Sequence, residues 1–539
     1  MSLQSIVYYS LYLFGKLTNV GNQNLLYAVC ILSTYPLALF YRKCLAFAPL
    51  KHLFSIVVGF LFCYNLFSAI DVLHILGASI FTLLVTLYFP TKWHPDIIVF
   101  ASCFLQLSIL HIYRMWAYWM VWSVDITGIM MLLTIKLTSF SFDYVEKRKV
   151  VEKKEIVEKR KDEKNIKNTV NTKEDLNINP IEWFGYVFFF PSLLTGPTIS
   201  FEEYRNFIYS PVHPDQNNMA REIRQSTLKN AIYLMFVVVV GMRIIPLNFL
   251  HGSEIENYSI LYRILYAYVA LVIIRCRYYF AWSLSKASCM ASGLSEELST
   301  NVNILEVEFG QNTREILSNW NLCTANWLKK HVYIRLMNNS WSSFTATLAT
   351  NVISAIWHGF YPGYYFTFIT GGMMTELGKQ IRRNVRPYFL DNGLLKFCYD
   401  GLCIVNMMIL LTYCALPFQV FGIRETFMSW YNLYFIGHIL ILLGTVLAYI
   451  VPRQKVENSD DRHNVDVDNY DKIEEKTDVK VENVEKNVEK DVNIVNNEEK
   501  TNEVKDVDAD KNEDDNNNYT NTKSVDNDFI EENVKSKIE

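Results

Sequence analysis

Long apolar runs recur through the first 450 residues of this chain, and they decide what it can fold into. A helix needs about 20 consecutive apolar residues to cross the hydrocarbon core of a bilayer. Such runs lie at roughly 24–42, 52–70, 72–89, 96–113, 116–139, 227–249, 258–282, 340–360, 363–382, 397–420 and 431–451. Lipid offers the backbone no hydrogen-bond partners, so segments like these cross as helices. The expected fold class is therefore all-α: a polytopic integral membrane protein with about eleven spans. A further apolar stretch, 183–199, is interrupted by Pro191, Gly196 and Pro197. It reads either as a re-entrant segment or as a kinked span, and a break at membrane depth is tolerated only where protein or a cavity surrounds it.

Charge divides the 539 residues into two parts. From position 451 onward there are 14 Lys and Arg against 27 Asp and Glu, leaving 37 basic and 28 acidic residues of the chain's 51 and 55. A basic apolar body, 1–450, thus carries an acidic tail, 451–539. That contrast excludes a simple soluble enzyme, a collagen-like chain and a wholly disordered one. Residues 452–539 hold one Phe and two Tyr, too little apolar mass for a core, so disorder is expected there. Orientation follows from 146–173, which contains eleven Lys and Arg and places a charged loop at 143–180 in the cytosol. Counting spans from that loop puts 284–338 and the tail on the same side, and the N-terminus opposite. The ten cysteines form no Cys-x-x-Cys pair and sit mostly in apolar runs, so neither a metal site nor a disulfide framework is expected. Lys535-Ser536-Lys537, near the end, resembles a dilysine retrieval signal of endoplasmic-reticulum membrane proteins.

Polar residues in membrane spans are costly and mark candidate sites. Asp125, Lys136, His52, His74, His111 and His438 lie in or near spans, where interfacial or structural roles compete with function. His358 has more context. Trp357 precedes it, Gly359 follows it, and Pro362-Gly363 breaks the helix soon after, so non-helical backbone must line a cavity. A neutral imidazole in such a pocket can take a proton from a hydroxyl. A second constellation runs from Ser318 to Arg335. Trp320, Trp327 and Leu328 share one helical face, Asn321 supplies an amide dipole, and Lys329, Lys330 and Arg335 suit phosphate charge or an interfacial helix. Arg275 and Arg277, beside Tyr278 and Tyr279, suit an anionic group or simple snorkelling.

Ser354-Ala355-Ile356-Trp357-His358-Gly359-Phe360-Tyr361-Pro362-Gly363-Tyr364-Tyr365 and Trp320-Asn321-Leu322-Cys323-Thr324-Ala325-Asn326-Trp327-Leu328 resemble the signatures of the membrane-bound O-acyltransferases, in particular the lysophospholipid acyltransferase branch. The stretch from Phe190 to Phe201, with Gly196-Pro197, and the one from Asp125 to Ser139 are similar to further elements of that branch. The Phe-Tyr-x-Asp-Trp-Trp-Asn element of the sterol and diacylglycerol branch is not found. The resemblance covers roughly 20–450 in matching order. It implies a catalytic tunnel through the membrane and acyl transfer from acyl-CoA, as co-substrate, to a lysophospholipid hydroxyl, most often at sn-2. His358 is then the expected base and Asn321 the residue that orients the thioester or His358, or stabilises the oxyanion. Trp320, Trp327, Trp357, Tyr364, Arg277, Lys329, Lys330 and Arg335 are candidates for substrate contact. No cofactor, metal or nucleic acid is implied. A polytopic transporter or lipid scramblase fits the broken segments and intramembrane charges as a competing class. Acylation of a protein or another small alcohol is the alternative within the family.

Overall fold

The computed structural model describes residues 22–121, 124–160, 177–210 and 218–452. The tail from 453, its Lys535-Ser536-Lys537 pattern and the centre of the charged segment lie outside the described residues. Among the described residues the regular secondary structure is helical, apart from one isolated antiparallel bridge, Val302–Trp320.

Among the described residues seven helices are long and apolar enough to cross a membrane: Gln23–Cys44, Ala48–Leu66, Ala69–Tyr88, Pro95–Ala117, Ile126–Glu152, Ala220–Ile244 and Gly393–Val420. An eighth crossing results if Ile423–Asn432 and Ile436–Ile450, bent by 70° at their break, act together. This differs from about eleven spans. The expected span at 340–360 is a 16-residue helix, Ser343–His358, about 24 Å long at 1.5 Å per residue and short of the roughly 30 Å core. Pro362–Asn384 carries Glu376, Lys379, Arg382 and Arg383 in its second half. Ile260–Ser292 is 33 residues long and buries Arg263 and Arg275. Apolarity in these helices serves packing against protein as well as lipid.

In chain order the helices that position the site are α1 (Asn22–Cys44), α2 (Ala48–Leu66), α3 (Ala69–Tyr88), α4 (Pro95–Ala117), α5 (Ile126–Arg160), α6 (Pro180–Val187), α7 (Phe190–Leu193), α8 (Phe201–Tyr209), α9 (Asn218–Ile244) and α10 (Ile260–Ser292). Then come α11 (Glu296–Ser299), α12 (Ile304–Glu308), α13 (Thr313–Asn319), α14 (Leu322–Leu328), a π turn at Lys329–Tyr333, α15 (Ile334–Asn338), α16 (Ser343–His358), α17 (Pro362–Asn384) and α18 (Gly393–Val420). The last two, α19 (Ile423–Asn432) and α20 (Ile436–Ile450), form the bent pair.

α10 is the hub, packed by α1, α7, α9 and α18. It opens on Ser259, whose side chain accepts from the Tyr262 N–H, and closes on Gly293 at φ +108°, which only glycine adopts readily. Burial separates two kinds of span. In α9 only 6% of the apolar window is buried, so one side packs on α10 and the rest faces outward, whereas in α5 the figure is 72%. α5 also corrects the expected loop at 143–180: the helix continues to Arg160, about 50 Å in all, because Glu and Lys are good helix formers. Its first turn lies at Ile126, so the expected span at 116–139 is divided near Tyr118 and Asp125.

The broken stretch 183–199, expected as a re-entrant segment or a kinked span, forms no helix long enough to cross a membrane. Its two short helices, α6 and α7, bury Trp183, Tyr186, Phe188, Phe189 and Phe190 almost completely. Lys136 explains how that is tolerated. Its Nζ donates to the carbonyls of Tyr186 and Val187 at the end of α6, where the i+4 partners of the helix run out and the Phe189 N–H reaches Tyr186 only as a tight i+3 turn.

Candidate active site

The first reactive segment ends α16. Ser342 caps the start of that helix, and Gly359 at φ +122° ends it, placing His358 on the last helical residue. Two distant elements hold the segment. The Trp357 indole N–H donates to the Met131 carbonyl on α5 at 2.9 Å. His111 on α4 lies 3.1 Å from the Trp357 carbonyl through Nε2; a carbonyl only accepts, so that nitrogen carries the hydrogen. A Cβ at position 359 would stand 3.1 Å from His111 Nδ1, so the close approach of α4 also depends on glycine. Around the His358 ring stand Trp357 and Phe418 edge-on at 4.7 and 4.9 Å, Phe368 at 5.5 Å and Tyr364 at 5.9 Å. Among the described residues no hydrogen bond occupies either nitrogen of His358, whose imidazole stands inside this cage of four rings.

The second segment begins α14. Residues 301–303 run antiparallel to 319–321: Val302 bridges Trp320, and the Asn303 N–H donates to the Asn319 carbonyl at 3.1 Å. Asn321 sits at φ +49°, a left-handed conformation that asparagine tolerates better than most residues. Trp320 packs edge-on against Trp282, Tyr278 and Tyr279 of α10 at 5.0, 5.6 and 5.8 Å.

α10 links the two. Arg277 donates to Gln419 at 3.2 Å, one residue beyond Phe418 of the His358 cage, and the neighbouring Tyr278 meets Trp320. Trp357, His358 and Tyr364 thus stand together, Trp320 and Asn321 lie in the second segment, and Arg277 and Tyr278 of α10 reach an element of each. The remaining candidates fall elsewhere. Trp327 is 3% exposed, stacks with Phe100 and Phe104, and donates to Thr138 Oγ1 at 3.0 Å, which is the setting of a packing residue. Lys330 pairs with Asp143 at 2.7 Å and Arg335 with Glu146, both acids on α5, while Lys329 is exposed beside them. Between these cations His331 is buried and stacked on Phe142. Desolvation, with Lys330 and then Arg335 adding to it, pushes its pKa down to about 3. His331 is therefore neutral near pH 7, and its 4.0 Å approach to Asp143 is not an ion pair. Arg275 is also accounted for, by two bonds to Glu308 at 2.7 and 2.6 Å.

Sequence reasoning did not single out Phe418, Phe368 or Asn301, and flagged His111 only as one of several histidines near span ends. A polar residue in an apolar run was the available signal for His111. For Asn301 there was none.

The sequence profile of the membrane-bound O-acyltransferase family matches residues 110–421, a region that contains His111, Asn321, His358 and Phe418. The chain belongs to this family. Among its relatives, a lysophospholipid acyltransferase of Schizosaccharomyces pombe is 28% identical, covering 83% of this chain and 90% of its own length. A lysophospholipid acyltransferase of Saccharomyces cerevisiae is also 28% identical, over 80% of this chain and 75% of its own. A human protein named membrane-bound glycerophospholipid O-acyltransferase 2 is 26% identical, over 83% and 89%. As an O-acyltransferase of this family, the chain carries both of its expected reactive residues inside the matched region.

Proposed function

We propose that this chain is a lysophospholipid acyltransferase that moves a fatty acyl group from acyl-CoA to the free hydroxyl of a lysophospholipid, at sn-2, giving a diacyl phospholipid and CoA. The observation that carries this reading is the family match across both reactive segments, in a chain whose relatives named above are lysophospholipid or glycerophospholipid acyltransferases. His358 takes the hydroxyl proton as the oxygen attacks the thioester carbon. The carbon–sulfur bond breaks, and the CoA thiolate receives the proton from His358. Direct transfer is favoured over an acyl-enzyme because, among the described residues, no Ser or Cys is hydrogen-bonded to His358.

Acyl-CoA presents its charged part near Arg277, Lys329, Lys330 and Arg335 and sends its chain through a tunnel toward the His358 pocket. The lysophospholipid enters from the bilayer. The protein resides in the endoplasmic-reticulum membrane with its acidic tail in the cytosol, a sidedness supported by the positive-inside charge of 146–173. The test is CoA-thiol release by the purified protein supplied with oleoyl-CoA and a panel of lysophospholipids, with the labelled product identified. A diacyl phospholipid with stoichiometric thiol is expected. Label in a protein acceptor, or lipid transbilayer movement with no thiol release, would overturn the assignment.

A further inference from the structure

Asn321 starts α14, and an asparagine in that place ordinarily turns its side chain onto its own helix. Here it does not. Asn301 supplies the cap from outside: its backbone carbonyl accepts the Leu322 N–H at 2.9 Å, and its Oδ1 accepts the Cys323 N–H at 3.0 Å. This fixes the Asn301 amide without any choice of flip. The atom facing the Cys323 N–H must be the oxygen, so the other is Nδ2, a donor. That donor lies 3.2 Å from the Asn321 side chain, whose contacting atom must therefore be its oxygen. The NH₂ of Asn321 is left over, with no partner among the described residues. Asn301 is 3% exposed, so water does not compete for these bonds.

We propose that Asn301 is a positioning residue that fixes Asn321 as a hydrogen-bond donor, and that Asn321 acts on the thioester carbonyl oxygen rather than as an acceptor that orients His358. This deepens the acyltransferase reading and rests on it. When the hydroxyl oxygen bonds to the carbonyl carbon, the carbonyl electron pair moves onto oxygen. It returns as the carbon–sulfur bond breaks and the thiolate takes the proton held by His358. A donor locked in advance by Asn301 stabilises that transient charge with no reorganisation, and loss of one such donor typically costs about 10²–10³ in kcat.

The discriminating variant is Asn301→Asp. It keeps an oxygen for the Cys323 N–H, and so keeps the cap, but offers a second acceptor where Asn321 needs a donor. The Asn321 amide then turns over, giving its NH₂ to the new carboxylate and its oxygen to the cavity. In the full-length protein in detergent, with oleoyl-CoA and a lysophospholipid, kcat should fall about 100-fold. KM for acyl-CoA should stay within about twofold, since the lost bond is made in the transition state. Asn301→Asp/Asn321→Ala should be no slower than Asn321→Ala alone. Asn301→Ser, which keeps a side-chain donor, should recover part of the rate. A parent without thiol release would overturn the acyltransferase reading itself. An active parent whose Asn301→Asp variant keeps its kcat, or loses it multiplicatively with Asn321→Ala, would overturn the positioning role. The same holds if thermal stability and kcat fall alike in Asn301→Asp and Asn301→Ser, which marks a loop support only.

Discussion

The two reactive segments are built on different physics. His358 is held by shape: a helix end, four rings around the imidazole, and two long-range bonds that restrain its neighbour Trp357 and leave His358 itself untouched. Asn321 is held by direction: a single antiparallel bridge and a run of asparagine contacts that dictate which end of an amide faces outward. The difference suits the chemistry proposed for each. A general base needs exclusion of water and free ring nitrogens. A donor to a developing charge needs its dipole fixed beforehand. Packing delivers the first and hydrogen bonding the second.

The largest expected break in this comparison is His358→Ala. Turnover should fall by about 10²–10⁴ at equal abundance in the membrane, because the base is lost while the cage remains. Turnover within a few fold of the parent would remove His358 from the chemistry. Next is Asn321→Ala, with an expected loss of about 10²–10³. If both segments serve one reaction, the double variant should be little worse than the poorer single one, and acyl-CoA binding should survive in Asn321→Ala. Steady-state rates on the four proteins, with binding measured separately, decide it; losses that multiply would separate the two segments.

A smaller effect sharpens the boundary of the site. Trp327→Phe keeps the stack on Phe100 and Phe104 but removes the indole N–H from Thr138. Stability should drop by about 1 kcal/mol. Thermal unfolding and turnover per folded molecule separate the outcomes: a rate loss with unchanged stability would return Trp327 to the substrate wall. The smallest expected effect is that of Lys330→Ala. The side chain is 59% exposed and paired with Asp143, a bond of the kind that contributes about 0–1 kcal/mol. KM for acyl-CoA should rise a few fold at low salt and return toward the parent at high salt, with kcat unchanged. An unaltered KM at low salt would exclude Lys330 from the CoA path.

Trp327 and Trp357 illustrate how far the sequence could be read. Both looked like aromatic walls for a substrate. Trp357 is beside the His358 ring, whereas Trp327 faces α4 and α5 in the core. Their partners lie 226 and 189 residues away along the chain, and nothing local distinguishes the two. α10, α16 and α17 likewise read as spans, because an apolar run looks alike whether lipid or protein receives it; each has an exposed apolar side, with Leu261, Leu348 and Ile369, and a buried one. The charged stretch after Asp143 was misread for the opposite reason: its charge suggested a loop, while its Glu and Lys content favours helix.

The sequence by itself determined that this chain builds a helical membrane body with an acidic tail. Transfer of a side chain from water to hydrocarbon is a property of each residue and sums along a run. It also placed His358 at a helix break and Asn321 in a polar segment, since Gly359, Pro362 and the Trp-Asn pattern are local. Only the tertiary structure decided that His111 would steady the His358 segment, that Lys136 would close the end of α6, and that Asn301 would turn the Asn321 amide outward. Each of these is a directional hydrogen bond between elements distant in sequence. Its donor and acceptor meet only once the helices have packed, so no residue pattern encodes it alone.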